Sequence, residues 1–183
     1  MPRMQRRHLL LGLAAASAAA ALPARAAEFR ELKWEELVPK DWDPLKDLQG
    51  MGLGAPEGSG LNDADPKAQA MLEKLREIWD KAPTVPAMDG RAVRLPGFVV
   101  PLDETPAGLT SFLLVPYFGA CIHTPPPPAN QIVHVHAKTP VKSRTMDAVW
   151  VRGTLKIERA ASSMGTSGYR LDAVGVQPYV ERR

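Results

Sequence analysis

The run QIVHVHAK, Gln131 to Lys138, decides how this chain folds. Strand side chains alternate, so Val133 and Val135 share one face while Ile132, His134 and His136 share the other. The valine face points to a core, and a one-residue slip would reverse every assignment. Outward from this strand the same pattern recurs. AVRLPGFVVPL (92–102), LTSFLLVPYF (109–118), DAVWVRGTLKIER (147–159) and GYRLDAVGVQPYV (168–180) read as four more strands, separated by Pro, Gly, Ser and Thr. Pro96-Gly97 marks a bend or bulge in the first of them. Gly153 offers relief in the fourth, and Val149, Val151 and Leu155 are expected to join Val133 and Val135 in one core. Five short, strongly bent strands close most economically as a small Greek-key barrel of the OB type. The fold class is therefore mainly β, an OB-like five-stranded barrel with an N-terminal helical arm.

Before the strands, Asp65-Pro66 is a helix start, with Asp at the N-cap and Pro at the first helical position. Ala68, Met71, Leu72, Leu75, Ile78 and Trp79 follow at helical spacing, and the helix stops by Pro83. Residues 66–80 are placed to plug the bottom of the barrel. Further upstream, 50–65 is Gly-rich and reads as a linker. A single helical turn is expected around Trp34–Leu37, ended by Pro39, with Trp34 and Trp42 docking the arm. The segments are thus 1–26, 27–65 for the arm and linker, and 66–183 for the helix and barrel.

Residues 1–26 have the form of a secretory signal peptide: Arg3, Arg6 and Arg7, an apolar run from Leu9 to Leu22, and Ala24-Arg25-Ala26 as cleavage site. Arg6-Arg7 also fits a twin-arginine leader, so Sec and twin-arginine export both stand. The expected location is periplasmic, with no stable membrane span once the leader is removed. The whole chain carries a net charge of +3. Four of its 23 basic residues lie in the leader, which leaves 19 against 20 acidic ones and a charge of −1. That balance gives no footprint for nucleic acid. A single cysteine excludes an internal disulfide.

That cysteine, Cys121, lies within 16 residues of His123, His134 and His136, which are all the histidines outside the leader. His134 and His136, at i and i+2 on a strand, put their Cβ atoms about 6–7 Å apart on one face. Cys121 and His123 repeat the spacing before it, and the stiff TPPPPAN joins the two pairs. One thiolate and up to three imidazoles form a borderline-soft donor set, suited to zinc or copper rather than calcium or magnesium. The plainer alternatives are a buried apolar cysteine and surface histidines. A second reading makes Cys121 a nucleophile or redox thiol with His123 or His134 as base, Asn130 being the nearest orienting group. A third makes the barrel an interaction module, with Tyr117, Phe118 and Trp150 either on its binding face or packed in the core and rim.

LPGFVVPL, FLLVPYFGACIHTPPPPANQIVHV and the earlier LKWEELVPKDW resemble the exported bacterial family known as domain of unknown function 3299. The resemblance spans roughly residues 28–180. It carries over to Cys121, His123, Pro125 to Pro128, Asn130 and Gln131, and not to His134 and His136. Members of that family are often encoded beside an ABC-type transporter and a histidine-rich exported protein in clusters associated with zinc uptake. The resemblance thus implies an accessory role in metal handling. The expectation is a non-enzymatic periplasmic protein of transition-metal acquisition. Its metal is zinc, its ligands are Cys121, His123, His134 and His136, and its partners are transporter components or another periplasmic metal-binding protein.

Overall fold

Six strands form one sheet in the order β1-β2-β3-β4-β6-β5: β1 (Arg30–Glu31), β2 (Ala92–Pro101), β3 (Leu109–Val115), β4 (Val133–Val141), β5 (Ala148–Ser162) and β6 (Gly165–Pro178). The computed structural model describes residues 28–43, 46, 66–120 and 126–180, with the backbone alone at 67 and 68. The expected leader 1–26, the expected linker 50–65, Asp65, Cys121, His123 and Pro125 lie outside the described residues.

β2 pairs with β3 and with β5, β3 with β4, and β5 with β6, all antiparallel, while β4 pairs with β6 in parallel. These ladders run β2-β3-β4-β6-β5 and return to β2, which is the ring expected of an OB-like Greek-key barrel. β1 adds to β2 as a short parallel strand at Val93 and Arg94. Pro96-Gly97 makes no bulge, for the register to β5 runs unbroken from Ala92 to Phe98. Here the strand changes partner instead: Phe98 faces both Ala148 and Val115, and β3 takes over from there. Gly153 does mark an irregularity, with a register shift between Arg152 and Gly153. A Cβ there would stand 2.3 Å from the Asp172 carbonyl oxygen, so only glycine lets β5 and β6 approach this closely.

The alternation read from the sequence holds. Val133, Val135, Val149, Val151 and Leu155 are buried in one core with Phe112, Leu114, Tyr169 and Leu171. His134 and His136 face away, half-buried and exposed respectively. Ile132, on their face, is fully buried in a second cluster outside the barrel with Val100, Leu113, Val115 and Ala120. Both faces of β3 are consequently covered at this end.

The plug differs from expectation. A 3-10 turn at Trp34–Leu37 forms as read, and Leu32, Trp34 and Leu37 belong to the main core. Trp34 Nε1 donates to the Pro96 carbonyl at 2.7 Å, Gln131 Nε2 donates to the Trp34 carbonyl at 2.9 Å, and the Tyr169 hydroxyl donates to the Leu37 carbonyl at 2.8 Å. The helix α1 (Pro66–Asp80) has the expected bounds but does not close the barrel. Leu72 is 44% exposed, Met71, Leu75 and Trp79 are half-buried, and only Ile78 is buried. It is held at its C-terminal end, where Arg159 of β5 donates to the Asp80 and Ala82 carbonyls, as cations favourably do at helix ends. The proline run also departs from the expected surface position. It does lead into β4 through a 3-10 turn at Ala129–Gln131, but Pro127 is buried and Pro126 and Pro128 half-buried.

Candidate metal centre

His134 and His136 stand on the outer face of β4, and their rings lean together. Their centroids are 4.2 Å apart, and His136 Nε2 lies 3.4 Å from His134 Nδ1. The other nitrogen of His134, Nε2, is 2.7 Å from the Ser111 hydroxyl on β3. β3 and β4 pair Leu113 with His134 and Ser111 with His136, which brings the serine diagonally under the imidazole. Burial pushes the His134 imidazole below its ordinary value, and the neighbouring His136 and Arg170 add to this against Glu158 and Asp103. Burial thus favours the neutral form of His134.

This geometry has a chemical meaning. Two nitrogens bound to one tetrahedral zinc at about 2.0–2.1 Å sit about 3.3–3.4 Å apart. The pair therefore stands at ligand spacing, whereas a hydrogen bond between the two nitrogens would be long. When Ser111 accepts from His134 Nε2–H, the Nδ1 lone pair is left facing His136. A hydrogen-bond acceptor on the far nitrogen is how ligating imidazoles are commonly fixed.

The carboxylate beside the pair is already engaged. Asp172 is the β6 neighbour of His136. Its carboxylate accepts from Arg170 Nε and is paired with Lys156 Nζ, each at 2.7 Å, and these two cations hold its pKa down at about 2. Arg170 also donates to Glu158 at 2.8 Å. Asp172, Arg170 and Lys156, with Lys138 and Thr154, border a groove of about 500 Å³ beside His136. Among the described residues no group of three His, Cys, Asp or Glu side chains is placed to hold a metal ion. Two of the four sequence candidates are brought together, and Cys121 and His123 fall outside the described residues.

The chain Ser111–His134–His136 also has the spacing of a nucleophile, a base and an orienting group. Its surroundings oppose that use. The Ser111 backbone N–H, the natural first donor to a developing oxyanion, is taken by the Asp103 carboxylate at 2.9 Å. That negative charge is also held by Thr110. Asn130, considered as an orienting group for Cys121, is fully buried and donates to the Pro83 carbonyl. Of the three aromatics weighed as a binding face, Tyr117 and Phe118 are exposed, Phe118 making an edge contact with Phe98. Trp150 lies elsewhere, stacked on Tyr179. Ser111 escaped the sequence reading because its tie to His134 crosses 23 residues and depends on the β3–β4 register.

Among the described residues no helix is long and apolar enough to cross a membrane. No curated protein matches the chain. A small single-stranded DNA-binding protein from Streptomyces coelicolor aligns with 51% of this chain and 97% of its own at 19% identity and a TM-score of 0.32, a likeness too slight to carry an argument. The crystal structure of a DUF3299 family protein from Pseudomonas aeruginosa is similar at 39% identity and a TM-score of 0.65, covering 85% of this chain and 99% of that one. The model of the family described as "Protein of unknown function (DUF3299)" matches residues 34–178, nearly the whole barrel and its arm, and the chain belongs to that family.

Proposed function

We propose that this protein is an exported, periplasmic accessory of transition-metal acquisition, and that it takes zinc as cargo through His134 and His136. The carrying observation is the 3.4 Å between His134 Nδ1 and His136 Nε2, with Ser111 on the far side of His134. The His134 imidazole, which burial favours in its neutral form, and a tetrahedral spacing suit zinc. Cys121 and His123 are proposed to supply the remaining ligands, and the leader-like residues 1–26 are the ground for the periplasmic location. A site whose His136 is exposed fits a protein that passes metal on, to a transporter component or another periplasmic metal-binding protein. In this reading the protein is not an enzyme.

Zinc titration of protein purified without a histidine tag, against a chromophoric chelator, tests this. One zinc per chain is expected. Replacing both His134 and His136 with Ala should abolish competition with the chelator, and Ser111→Ala should weaken binding about 10–100-fold, as loss of a supporting hydrogen bond does. Equal zinc binding by the wild type and the double histidine variant overturns the reading.

A further inference from the structure

A second cleft lies on the outer face of β2, β5 and β6 and shares no residue with the histidine pair. Arg94 of β2 and Arg152 of β5 are direct cross-strand neighbours. Like charges in that position repel and cost stability. Glu31 of β1 offsets one of them, at 3.2 Å from Arg94 Nη2. Arg152 is exposed and has no carboxylate partner among the described residues.

The two guanidiniums are nonetheless held in place. Arg94 lies over the Trp150 ring, 4.1 Å from its centroid, and Tyr179 stacks on that same ring. Arg152 runs over Gly175, where a Cβ would stand 2.6 Å from its Nε. Arg94 Nε is buried with no hydrogen-bond partner. Between these side chains is a cleft of about 240 Å³, lined also by Phe29, Trp150 and Gln177.

We propose that this cleft binds the carboxylate of a small organic acid or of a peptide C-terminus. Planar guanidiniums match a carboxylate through paired N–H donors. The two arginines less Glu31 leave a single net positive charge, which suits a monoanion better than a phosphate dianion. The Gln177 side chain adds an amide at the rim, and Phe29 and Trp150 give an apolar wall for the body of the acid. The sheet keeps two opposed arginines because the ligand neutralises the one that Glu31 does not.

Calorimetric titration of the purified chain with benzoate tests the site. A short peptide, offered once as the free acid and once as the amide, forms the second arm. Saturable binding of benzoate or of the peptide acid is expected, and the tighter of the two names the source. Arg152→Gln, at an exposed position, should weaken it at least about tenfold, and Gly175→Ala should weaken it by displacing the Arg152 guanidinium. His134→Ala should leave it unchanged, which separates this site from the metal reading. Binding that is absent in both arms, equal in Arg152→Gln, equal for peptide acid and amide with no benzoate binding, or stronger for inorganic phosphate than for either probe overturns the proposal.

Discussion

Two of the helical segments that precede the barrel strands are used in opposite ways. The turn Trp34–Leu37 is four residues long and places Trp34 and Leu37 in the main core. The helix Pro66–Asp80 has 15 residues and a clear apolar stripe, yet only Ile78 is buried and Leu72 stays 44% exposed. Periodicity reports that a segment is helical and has a greasier side. It does not report what that side meets. The short turn is committed because three polar ties fix it: the Trp34 indole to Pro96, Gln131 to the Trp34 carbonyl, and Tyr169 to the Leu37 carbonyl. Among the described residues, the polar ties of the long helix to the barrel are those of Arg159 to its last carbonyls.

The largest expected effect is at the arm. Trp34→Ala should cost about 3–5 kcal/mol in urea unfolding, as truncation of a buried aromatic does. A loss under 1 kcal/mol would mean that the arm is no part of the core. Next comes Tyr169→Phe. The Tyr169 hydroxyl donates to Leu37 and accepts from the Val85 N–H at 2.6 Å, so it joins the arm to the segment after the helix. Its removal leaves both backbone groups without a partner, at about 1–3 kcal/mol. Leu72→Ala should change stability by no more than about 0.5 kcal/mol, the range of exposed positions. A loss as large as that of Trp34→Ala would erase the contrast between the two segments.

Acid should sharpen the same contrast. The Glu36 carboxylate accepts from the Lys33 N–H at 3.0 Å, and this, with Arg30, holds its pKa below 4.5 despite some burial. A carboxylate depressed on folding stabilises above its unfolded value and loses that contribution as pH falls through the folded one. The arm should therefore loosen below about pH 4.5, visible as a shift of the Trp34 indole N–H resonance. In the helix, Glu77 is lowered chiefly by Lys74, three residues away and exposed. That pair lies within the helix, so its protonation should leave the Trp34 signal where it is.

The strands were legible because valines at period two have one good solution, and Val133, Val135, Val149 and Val151 fall on the face that the alternation assigns. The histidine pair was legible for the same reason, being set by i and i+2 on one strand. What joins distant strands was not. Ser111 reaches His134 across 23 residues and Arg94 meets Arg152 across 58, and each meeting depends on a register that no local pattern encodes. The arm's role was hidden too, since four residues carry too little periodicity to separate a plug from a loop. Pro127 is buried because a proline needs no sheet partner and packs as an apolar ring, a property its backbone limits do not reveal.

The bond from Tyr169 to Leu37 joins residues 132 positions apart in the chain. Leu37 is made early and Tyr169 late. A chain emerging from its N-terminal end thus carries Trp34 and Leu37 with their docking site incomplete until β6, the final strand, has appeared. Contacts this distant in sequence close slowly. The arm, made long before β6, is therefore among the last parts to find its place, and until then two apolar side chains of the finished core stay open to any holding factor that meets the chain.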